Sequence, residues 1–292
     1  MRPAINRCLL LGLLIAGIVC FSLAQSNNQI VIGNDPVVPF RIVGNIYYVG
    51  SSDVTSFLIT TPKGHILIDS GLPTTVPQIK KNIAELGFKL TDVKIILNSH
   101  AHFDHAGGIA ELKRLTNARF YASEGDSALL SRGGLDDPNF GDRFPFEPIT
   151  PDKLLADGQK VKLGGITLTA NVTPGHTPGC TTWTTTVIED KQPLNVLFLC
   201  SVSSPDYDLV TNKKYPQIQA DYLASFAKLK QAKVDVFLAS HGGFFDLVGK
   251  AKELRKGKSP NPFIDPQGYK EFIEKSEKAF LEKVETQKKA KK

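Results

Sequence analysis

The sequence lacks three features that would assign its class at once. No segment repeats at a fixed period, which excludes a solenoid or another repeat array. No basic stripe is interleaved with aromatic residues, so the formal net charge of +6 does not indicate a nucleic acid partner. The apolar run from Cys8 to Cys20 is shorter than the about 20 residues that a membrane-spanning helix requires. The 292 residues, 41% of them hydrophobic, are nevertheless enough to bury a core, in one large domain or two small ones.

The N-terminal segment has the pattern of a secretory signal peptide. Two arginines precede the apolar run, and Ser22 and Ala24 form a small-x-small cleavage site. The alternative is an uncleaved membrane anchor, which the shortness of the apolar run disfavours. We therefore predict a signal peptide over residues 1–24, a mature chain over residues 25–292 without stable membrane insertion, and a periplasmic or secreted location.

Cysteine is scarce, and half of it belongs to the predicted signal peptide. The mature chain keeps Cys180 and Cys200. An even number of cysteines in an exported protein indicates one disulfide, and two buried free thiols are the alternative.

Short β-branched and aromatic runs dominate both halves of the chain, and helical patterns flank them. This arrangement predicts an α+β fold in which two sheets stack and helices cover both outer faces, a four-layer αβ/βα sandwich. The lysine-rich segment 283–292 is predicted to be a solvated, basic C-terminal helical tail. We predict strands near residues 46–49, 56–60, 65–68, 93–97, 161–163, 166–170, 180–188, 195–199 and 234–238, and helices near residues 77–86, 108–115, 218–229 and from Pro266 onward.

The stretch from residue 131 to 151 has neither helical nor strand periodicity. A loop of this length inside a compact domain is often functional. Its aromatic residues Phe140, Phe144 and Phe146 either line a cleft or anchor the loop.

Histidine is concentrated in one place: three of the six lie in the segment HAHFDH at residues 100–105. In extended backbone, side chains two residues apart point the same way, so His100 and His102 can bind one ion. Asp104 and His105 lie beyond them, where two glycines let the chain turn into a helix, and can face a neighbouring point. Imidazole and carboxylate together favour zinc among the common divalent ions. The alternative is a polar loop of solvated histidines.

Two more histidines lie where predicted strands end. His176 stands in the turn TPGHTPG, which has the rigidity that a metal ligand needs, and His241 follows the apolar strand near 234–238. Together with the cluster they supply ligands for two ions. His65, which begins a strand, is predicted to be structural.

These residues resemble the metallo-β-lactamase superfamily, whose signature H-x-H-x-D-H stands here at residues 100–105. The stretch LIDSG at residues 67–71 resembles the strand-end motif of the superfamily, and its third and fourth ligand positions match His176 and His241. The resemblance implies one catalytic domain over residues 25–292, with the metal site at one edge of the two sheets. The chain is most similar to the third subclass of true metallo-β-lactamases, through the stretches 157–183, 198–203, 215–222 and 261–269.

The resemblance implies two zinc ions per chain, held by six side chains. The first zinc would be bound by His100, His102 and His176, and the second by Asp104, His105 and His241.

The position after the predicted strand at 195–199 distinguishes the relatives. Thioesterases, lactonases and nucleases of the superfamily usually place a metal-bridging aspartate there, and the first lactamase subclass places a cysteine ligand. Here Cys200 and Ser201 follow the strand. In the third subclass a serine occupies this position, which implies that Ser201 positions water, that Ser203 contacts the substrate carboxylate and that Cys200 pairs with Cys180. The alternative is that Cys200 is a thiolate ligand.

The activity that the resemblance implies is hydrolysis of the amide of β-lactam antibiotics by a zinc-bound hydroxide, without a covalent intermediate. Asp104 would orient the hydroxide, and His102 and His176 complete the expected catalytic set. The alternatives are hydrolysis of a lactone, thioester or phosphodiester on the same fold, or metal binding without turnover. We expect a small-molecule β-lactam as the only partner of a monomeric chain.

Overall fold

The computed structural model describes residues 33–291, so the predicted signal peptide lies outside the described residues. None of the helices in this range is both long enough and apolar enough to cross a membrane. The strands are β1 (Phe40–Val43), β2 (Ile46–Tyr48), β3 (Phe57–Thr61), β4 (Gly64–Ile68), β5 (Val93–Leu97), β6 (Arg119–Ser123), β7 (Lys153–Leu155), β8 (Lys160–Leu163), β9 (Ile166–Val172), β10 (Thr181–Glu189), β11 (Gln192–Leu199) and β12 (Val236–Ala239). The helices are α1 (Val76–Glu85), α2 (Phe103–Ala106), α3 (Ile109–Thr116), α4 (Glu124–Ser131), α5 (Ile218–Lys230), α6 (Leu247–Arg255) and α7 (Pro266–Ala290).

The first sheet contains strands β1 to β7 in sequential order. Strands β1 to β4 pair antiparallel, and β4 to β7 pair parallel through connections that contain helices. The parallel strand β5, with the sequence VKIIL, is a nearly continuous apolar run because it is covered on both faces.

The second sheet has the order β12-β11-β10-β9-β8. Strands β8 to β11 form an antiparallel meander, and β12 joins β11 in parallel after helix α5. Alternation along β10 separates the two faces: Trp183 and Val187 are buried, whereas Thr186 and Ile188 are exposed.

Two apolar layers hold the sheets and helices together. The larger layer lies between the sheets, where the ring centroids of Phe57 on β3 and Phe198 on β11 are 5.1 Å apart, and it extends to Phe226 of α5 and Phe280 of α7. The smaller layer packs α1, for example through Ile79, and α3 on the first sheet. The layer order is helix, sheet, sheet, helix, so the predicted αβ/βα sandwich is confirmed.

Strand ends of both sheets meet along one edge of the sandwich. The amide of Ser240 after β12 donates to the carbonyl of Leu199 at the end of β11 at 3.0 Å. The amide of Thr181 at the start of β10 donates to the carbonyl of Ser99, just after β5, at 2.7 Å. The second bond joins the two sheets, and it places the HAHFDH segment at the edge where the metal site is predicted.

Each predicted strand and helix is confirmed, with its ends within about three residues of the prediction. Sequence reasoning missed β1 and β7, which are the short edge strands of the first sheet, and also β6 and α2. It also missed α6 and α4, whose sequence EGDSALLS contains a glycine and two serines that weaken a helical pattern. Residues 132–152 contain no helix or strand, as predicted for the 131–151 loop.

Replacement of Trp183 by alanine tests the core between the sheets. The Trp183 side chain is fully buried, and its indole N–H donates to the carbonyl of Asn98 at 3.1 Å. Because the substitution leaves a cavity and an unpaired carbonyl, we expect the free energy of unfolding, measured by urea denaturation, to fall by about 3–5 kcal/mol. Ile188→Ala on the same strand, at a residue that is 62% exposed, is the control and should cost less than about 0.5 kcal/mol. Equal losses for the two variants would contradict this placement of Trp183.

Candidate metal centre

The segment 98–105 leaves the end of β5 and carries four of the predicted ligands. Its backbone stays extended through His102, with φ −98° and ψ 154°, and then enters helix α2 at Phe103. The sequence predicted a helix only from Gly108 onward. The earlier helical turn carries Asp104 and His105, so these two side chains diverge from the extended direction of the preceding histidines.

Asp69, the residue after β4, fixes the start of this segment. Its Oδ1 accepts hydrogen bonds from the amide of Ser99 at 2.7 Å and the side chain of Asn98 at 3.1 Å, and its Oδ2 accepts from the Ser99 hydroxyl at 2.6 Å. Asp69 Oδ2 also lies 3.4 Å from Nδ1 of His105. The LIDSG stretch therefore supplies one carboxylate that holds both ends of the ligand segment.

Three buried histidines, His100, His102 and His176, form the first group of converging ligands. Nδ1 of His102 lies 3.1 Å from Nε2 of His176. The ring centroid of His100 is 4.8 Å from that of His102 and 4.7 Å from that of His176. His100 Nε2 is buried and has no hydrogen-bond partner within the described part of the chain. Three imidazoles therefore face one point.

The second group consists of Asp104, His105 and His241. Asp104 Oδ2 lies 3.3 Å from Nε2 of His105 and 3.6 Å from Nε2 of His241, and the two imidazole nitrogens are 3.3 Å apart. This group adjoins the first, because His100, Asp104 and His105 each bring a ligand atom within 4.8 Å of the others.

The separations between these atoms fit a metal ion at each group. Four-coordinate zinc with bonds of about 2.0–2.2 Å places neighbouring ligand atoms about 3.3–3.6 Å apart. The observed separations run from 3.1 to 3.6 Å. Imidazole nitrogen and carboxylate oxygen are also donors that zinc accepts, and the orphaned His100 Nε2 gains a partner when a cation is bound.

A polar atom lies within 3.4 Å of the outward-facing nitrogen of each of the five histidines. The contacts of His100, His176 and His241 are hydrogen bonds, whereas the carboxylates beside His102 and His105 lie close without hydrogen-bond geometry. The metal-facing atom is Nδ1 in His102 and Nε2 in the other four. The contacts are His100 Nδ1 with Ser99 Oγ at 3.0 Å, His102 Nε2 with Asp137 Oδ2 at 3.3 Å, His105 Nδ1 with Asp69 Oδ2 at 3.4 Å, His176 Nδ1 with the Ser203 carbonyl at 2.8 Å and His241 Nδ1 with Asp53 Oδ2 at 2.9 Å.

The two groups differ in their electrostatics. Burial lowers the pKa values of His100 and His176 well below the ordinary value, and neighbouring imidazoles add to the effect. These rings are therefore uncharged at neutral pH, and each has a nitrogen lone pair that can bind a metal ion. Burial also opposes charge on His105, but Asp104 and Asp69 outweigh it and raise the pKa of His105 to about 10. A cation that enters the second group at neutral pH therefore displaces a proton from His105.

Asp126 on helix α4 joins the two chain segments that supply the first group. Its Oδ2 accepts from the amide of Ala101 at 2.9 Å and the hydroxyl of Thr177 at 2.8 Å, and its Oδ1 accepts from the amide of Gly179 at 2.7 Å. A Cβ at Gly179 would lie 2.3 Å from the Asp126 amide nitrogen, so the approach requires glycine. Asp126 therefore sets the distance between the HAHFDH segment and the TPGHTPG turn.

The residues after β11 also lie at this edge. Cys200 forms a disulfide with Cys180, with the Cα atoms 5.8 Å apart, so the predicted pairing is confirmed and Cys200 is not a thiolate ligand. Ser201 is buried, and its hydroxyl is 3.0 Å from the hydroxyl of Ser203. The Ser203 carbonyl lies 2.8 Å from Nδ1 of the predicted ligand His176, and the substrate roles of both serines stay predictions.

Aromatic residues of the 132–152 loop pack beside the first group. The ring centroid of Phe140 is 5.1 Å from that of His102 and 5.5 Å from that of Tyr207. Phe146 is buried in the smaller apolar layer. Both alternatives for these aromatics are therefore realised: Phe146 anchors the loop, and Phe140 faces the candidate site.

The end of helix α7 holds the loop that carries Tyr207. The side-chain amide of Gln287 donates to the Tyr207 carbonyl at 2.6 Å and accepts from the Leu209 amide at 2.8 Å. Lys283 donates to the carbonyl of Ser204. The predicted solvated tail is therefore wrong for these positions, because part of it binds the backbone beside the site.

The structure brings all six predicted ligands together, but sequence reasoning missed several groups that hold them. Asp53, Asp126, Asp137 and Tyr207, whose hydroxyl lies 3.3 Å from Nδ1 of His176, are outside the motifs that the sequence presents. Only the packing of distant segments reveals their contacts. His65 lies away from the centre, with its ring 5.1 Å from the ring of Phe88.

The fold and the site together define the class of the protein. An αβ/βα sandwich carries paired histidine and aspartate groups at one edge of its sheets, and each group fits a metal ion. The family model described as the metallo-beta-lactamase superfamily matches residues 49–241. The chain belongs to this superfamily of metal-dependent hydrolases.

Solved structures confirm the predicted resemblance to the third subclass. The native FEZ-1 metallo-beta-lactamase from Legionella gormanii has a TM-score of 0.86 and 44% identity, and the match covers 87% of this chain and 98% of that one. BJP-1, a subclass B3 metallo-beta-lactamase of Bradyrhizobium japonicum, has a TM-score of 0.84 and 39% identity over 89% of this chain and 98% of that one.

Curated relatives show that the superfamily is broader. A hydroxyacylglutathione hydrolase of Rhodopseudomonas palustris (strain BisB18) is 35% identical over 114 residues, which are 37% of this chain and 36% of that protein. The N-acyl homoserine lactonase AttM of Rhizobium radiobacter is 32% identical over 158 residues, with 43% of this chain and 57% of that protein covered. The chain thus spans 36% to 57% of the length of these two curated relatives.

Asp126→Asn tests the link between the two ligand segments. An amide at this position turns one acceptor into a donor that faces other donors, so we expect the free energy of unfolding to fall by about 1–3 kcal/mol. We also expect zinc affinity, measured by chelator competition, to fall by about 10-fold or more, because the first group loses its spacing. Ser127→Ala on the same helix, where the hydroxyl only bonds the Glu124 carbonyl, should change neither quantity. Wild-type zinc affinity in Asp126→Asn would refute this role.

Proposed function

We propose that the protein hydrolyses the amide bond of β-lactam antibiotics and that it uses two zinc ions per chain. The observation that carries this proposal is the ligand set. Among the described residues, the converging groups contain five imidazoles and one carboxylate, Asp104. The position where other branches of the superfamily usually place a bridging aspartate holds a disulfide-bonded Cys200 and then Ser201. The similarity to solved β-lactamases over nearly the whole of their chains supports the same assignment.

The proposed first zinc ligands are His100, His102 and His176, and the proposed second ligands are Asp104, His105 and His241. Bound zinc supplies Lewis acidity and lowers the pKa of water to about 7, which gives a nucleophile at neutral pH. The protein contributes the buried surroundings and the fixed orientation of each imidazole.

Asp104 is the residue that we place closest to the attacking water. Its Oδ2 belongs to the second group, and its other carboxylate oxygen can accept a hydrogen bond from the water and orient it. Water adds to the lactam carbonyl carbon, the C–N bond breaks, and the released nitrogen takes up a proton. Ser203 would donate to the substrate carboxylate, and Ser201 would position water.

In the proposed reaction water is the nucleophile, and no side chain of the protein forms a covalent bond to the substrate. The hydroxyls of Ser201 and Ser203 bond each other, and the Ser201 hydroxyl also accepts from the Ser203 amide at 3.2 Å. Within residues 33–291, neither hydroxyl is hydrogen-bonded to a histidine that could act as a base, so an acyl-enzyme is not expected.

Chelation is the direct test of zinc dependence. Treatment with EDTA should lower nitrocefin hydrolysis by at least about 100-fold, and added zinc should restore it, because the nucleophile depends on the metal. Metal analysis should find two equivalents of zinc per chain. His241→Ala should lose activity, and His65→Ala, a histidine substitution away from the site, is the matched control. The proposal would be contradicted by activity that survives chelation, or by fewer than one equivalent of metal after reconstitution.

The second candidate function is hydrolysis of a thioester, lactone or phosphodiester. The partial sequence matches to a hydroxyacylglutathione hydrolase and a homoserine lactonase favour it. The same preparation should therefore be assayed with lactoylglutathione, an acyl-homoserine lactone and bis-p-nitrophenyl phosphate. A kcat/KM on any of these above that on nitrocefin would favour the second candidate.

We also propose that the protein is exported and that it acts as a monomer, since one chain supplies every proposed ligand. Export is tested by expression of the full sequence with its own N-terminus, followed by mass spectrometry of the periplasmic or secreted fraction. The expected product lacks residues 1–24 and begins at Gln25. An intact N-terminus in the membrane fraction would favour the anchor instead.

A further inference from the structure

The carboxylate of Asp137 contacts a metal ligand and its own loop at the same time. Asp137 is buried, and its Oδ2 lies 3.3 Å from Nε2 of His102, the ring nitrogen on the far side from the first group. This is a contact of a carboxylate with an imidazole nitrogen that has no other polar partner within the described part of the chain, and it lacks hydrogen-bond geometry. Its Oδ1 accepts from the amides of Asn139 at 2.7 Å and Phe140 at 2.8 Å. The two oxygens therefore serve different parts of the structure.

Asp137 differs from the other carboxylates behind the histidines in its position along the chain. The carboxylates behind His105 and His241 come from Asp69, next to β4, and Asp53, shortly before β3. Asp137 instead lies inside the 132–152 loop, which contains no strand or helix. A change in the path of this loop would therefore move the group that orients His102.

The turn that Asp137 closes also places Phe140. Backbone bonds between Asp137 and Gly141 run in both directions, at 3.1 and 3.0 Å, and close a turn of five residues. The Phe140 ring lies against His102, and it contacts the ring of Phe144 at 5.4 Å. Asp137 and Phe140 thus contact His102 from the same turn.

Little space remains between the loop and His102. The cavity that His102, Phe103, Asp137, Phe140 and neighbouring residues enclose measures about 10 Å³, at the lower limit for a single water molecule. The contacts of Asp137 and Phe140 with His102 are therefore direct.

We propose that Asp137 is a positioning residue that couples the first metal site to the conformation of the 132–152 loop. Zinc on Nδ1 of His102 fixes the ring, the ring fixes the Asp137 carboxylate, and the carboxylate fixes the turn that holds Phe140 beside the site. The coupling is reciprocal, so the loop strengthens zinc binding by the factor by which zinc stabilises the loop. This inference rests on the zinc ligands of the proposed function and not on the choice of substrate.

The test uses zinc itself as the probe and reads both sides of the coupling. Zinc affinity of the first site is measured by chelator competition followed through the NMR signal of the His102 ring. Hydrogen exchange of the Asn139 and Phe140 amides is measured with and without zinc. In the wild type, zinc should slow this exchange by about 10–100-fold. Loss of an outer contact of this kind weakens metal binding by about 10–100-fold, and because the coupling is reciprocal, zinc should stabilise the loop by the same factor.

Asp137→Asn separates the two functions of the carboxylate. An asparagine Oδ1 can still accept from the loop amides, but its NH₂ group then faces His102 in place of an acceptor. We expect zinc affinity to fall by about 10–100-fold and the response of the loop amides to zinc to disappear. Asp142→Asn is the matched control, because Asp142 bonds the Asp136 amide in the same loop, and it should retain both properties.

Two results would overturn the coupling, and neither depends on turnover. One is wild-type zinc affinity in Asp137→Asn. The other is a wild-type loop whose exchange does not respond to zinc, a comparison that needs no variant. A wild-type chain that binds no zinc would instead contradict the proposed function, so the two failures are distinguishable.

Discussion

The crowding of five imidazoles and one carboxylate into a buried space is the constraint on which the rest of the structure depends. Buried polar groups that lack partners cost roughly 1–3 kcal/mol each. Imidazole nitrogens that face one another at 3.1 and 3.3 Å are tolerable only if each ring is held and a cation or a proton lies between them. The polar group behind each ring is therefore part of the metal centre, as much as the ligands are.

The sandwich provides these groups because strand ends of both sheets share one edge. The ligands of the first group come from the segment after β5 and the turn before β10, and the second group adds His241 from the end of β12. Asp126 and the bond between Thr181 and Ser99 keep these segments in register. The apolar layer between the sheets holds the two sheets together, and these polar contacts at the shared edge then set the distances between the ligand segments.

The parts of the site that lie close together in the sequence could be predicted, whereas contacts between residues far apart in the sequence could not. His100, His102, Asp104 and His105 form one contiguous pattern, and the strand periodicity around them indicated the sandwich. The contact of His241 with Asp53 spans 188 residues, and the contact of Asp137 with His102 depends on the path of an aperiodic loop. No local signal marks such pairs, because an aspartate in a loop has the same appearance whether it faces solvent or an imidazole. Helix α2, which begins at Phe103, was also not predicted, because the residues of this short helical turn also belong to the metal-ligand pattern.

The hydrogen bonds between helix α7 and the loop that carries Tyr207 have a practical consequence for protein engineering. An affinity tag or fusion partner attached at the C-terminal end of α7 would extend from the helix whose Gln287 and Lys283 hold the backbone beside the site. The hairpin turn at Asp190 and Lys191 is exposed and lies at the far end of β10 and β11 from the disulfide. Foreign sequence inserted at that turn would lie at the opposite end of these strands from the candidate metal centre, which makes the turn the better point for labels and immobilisation.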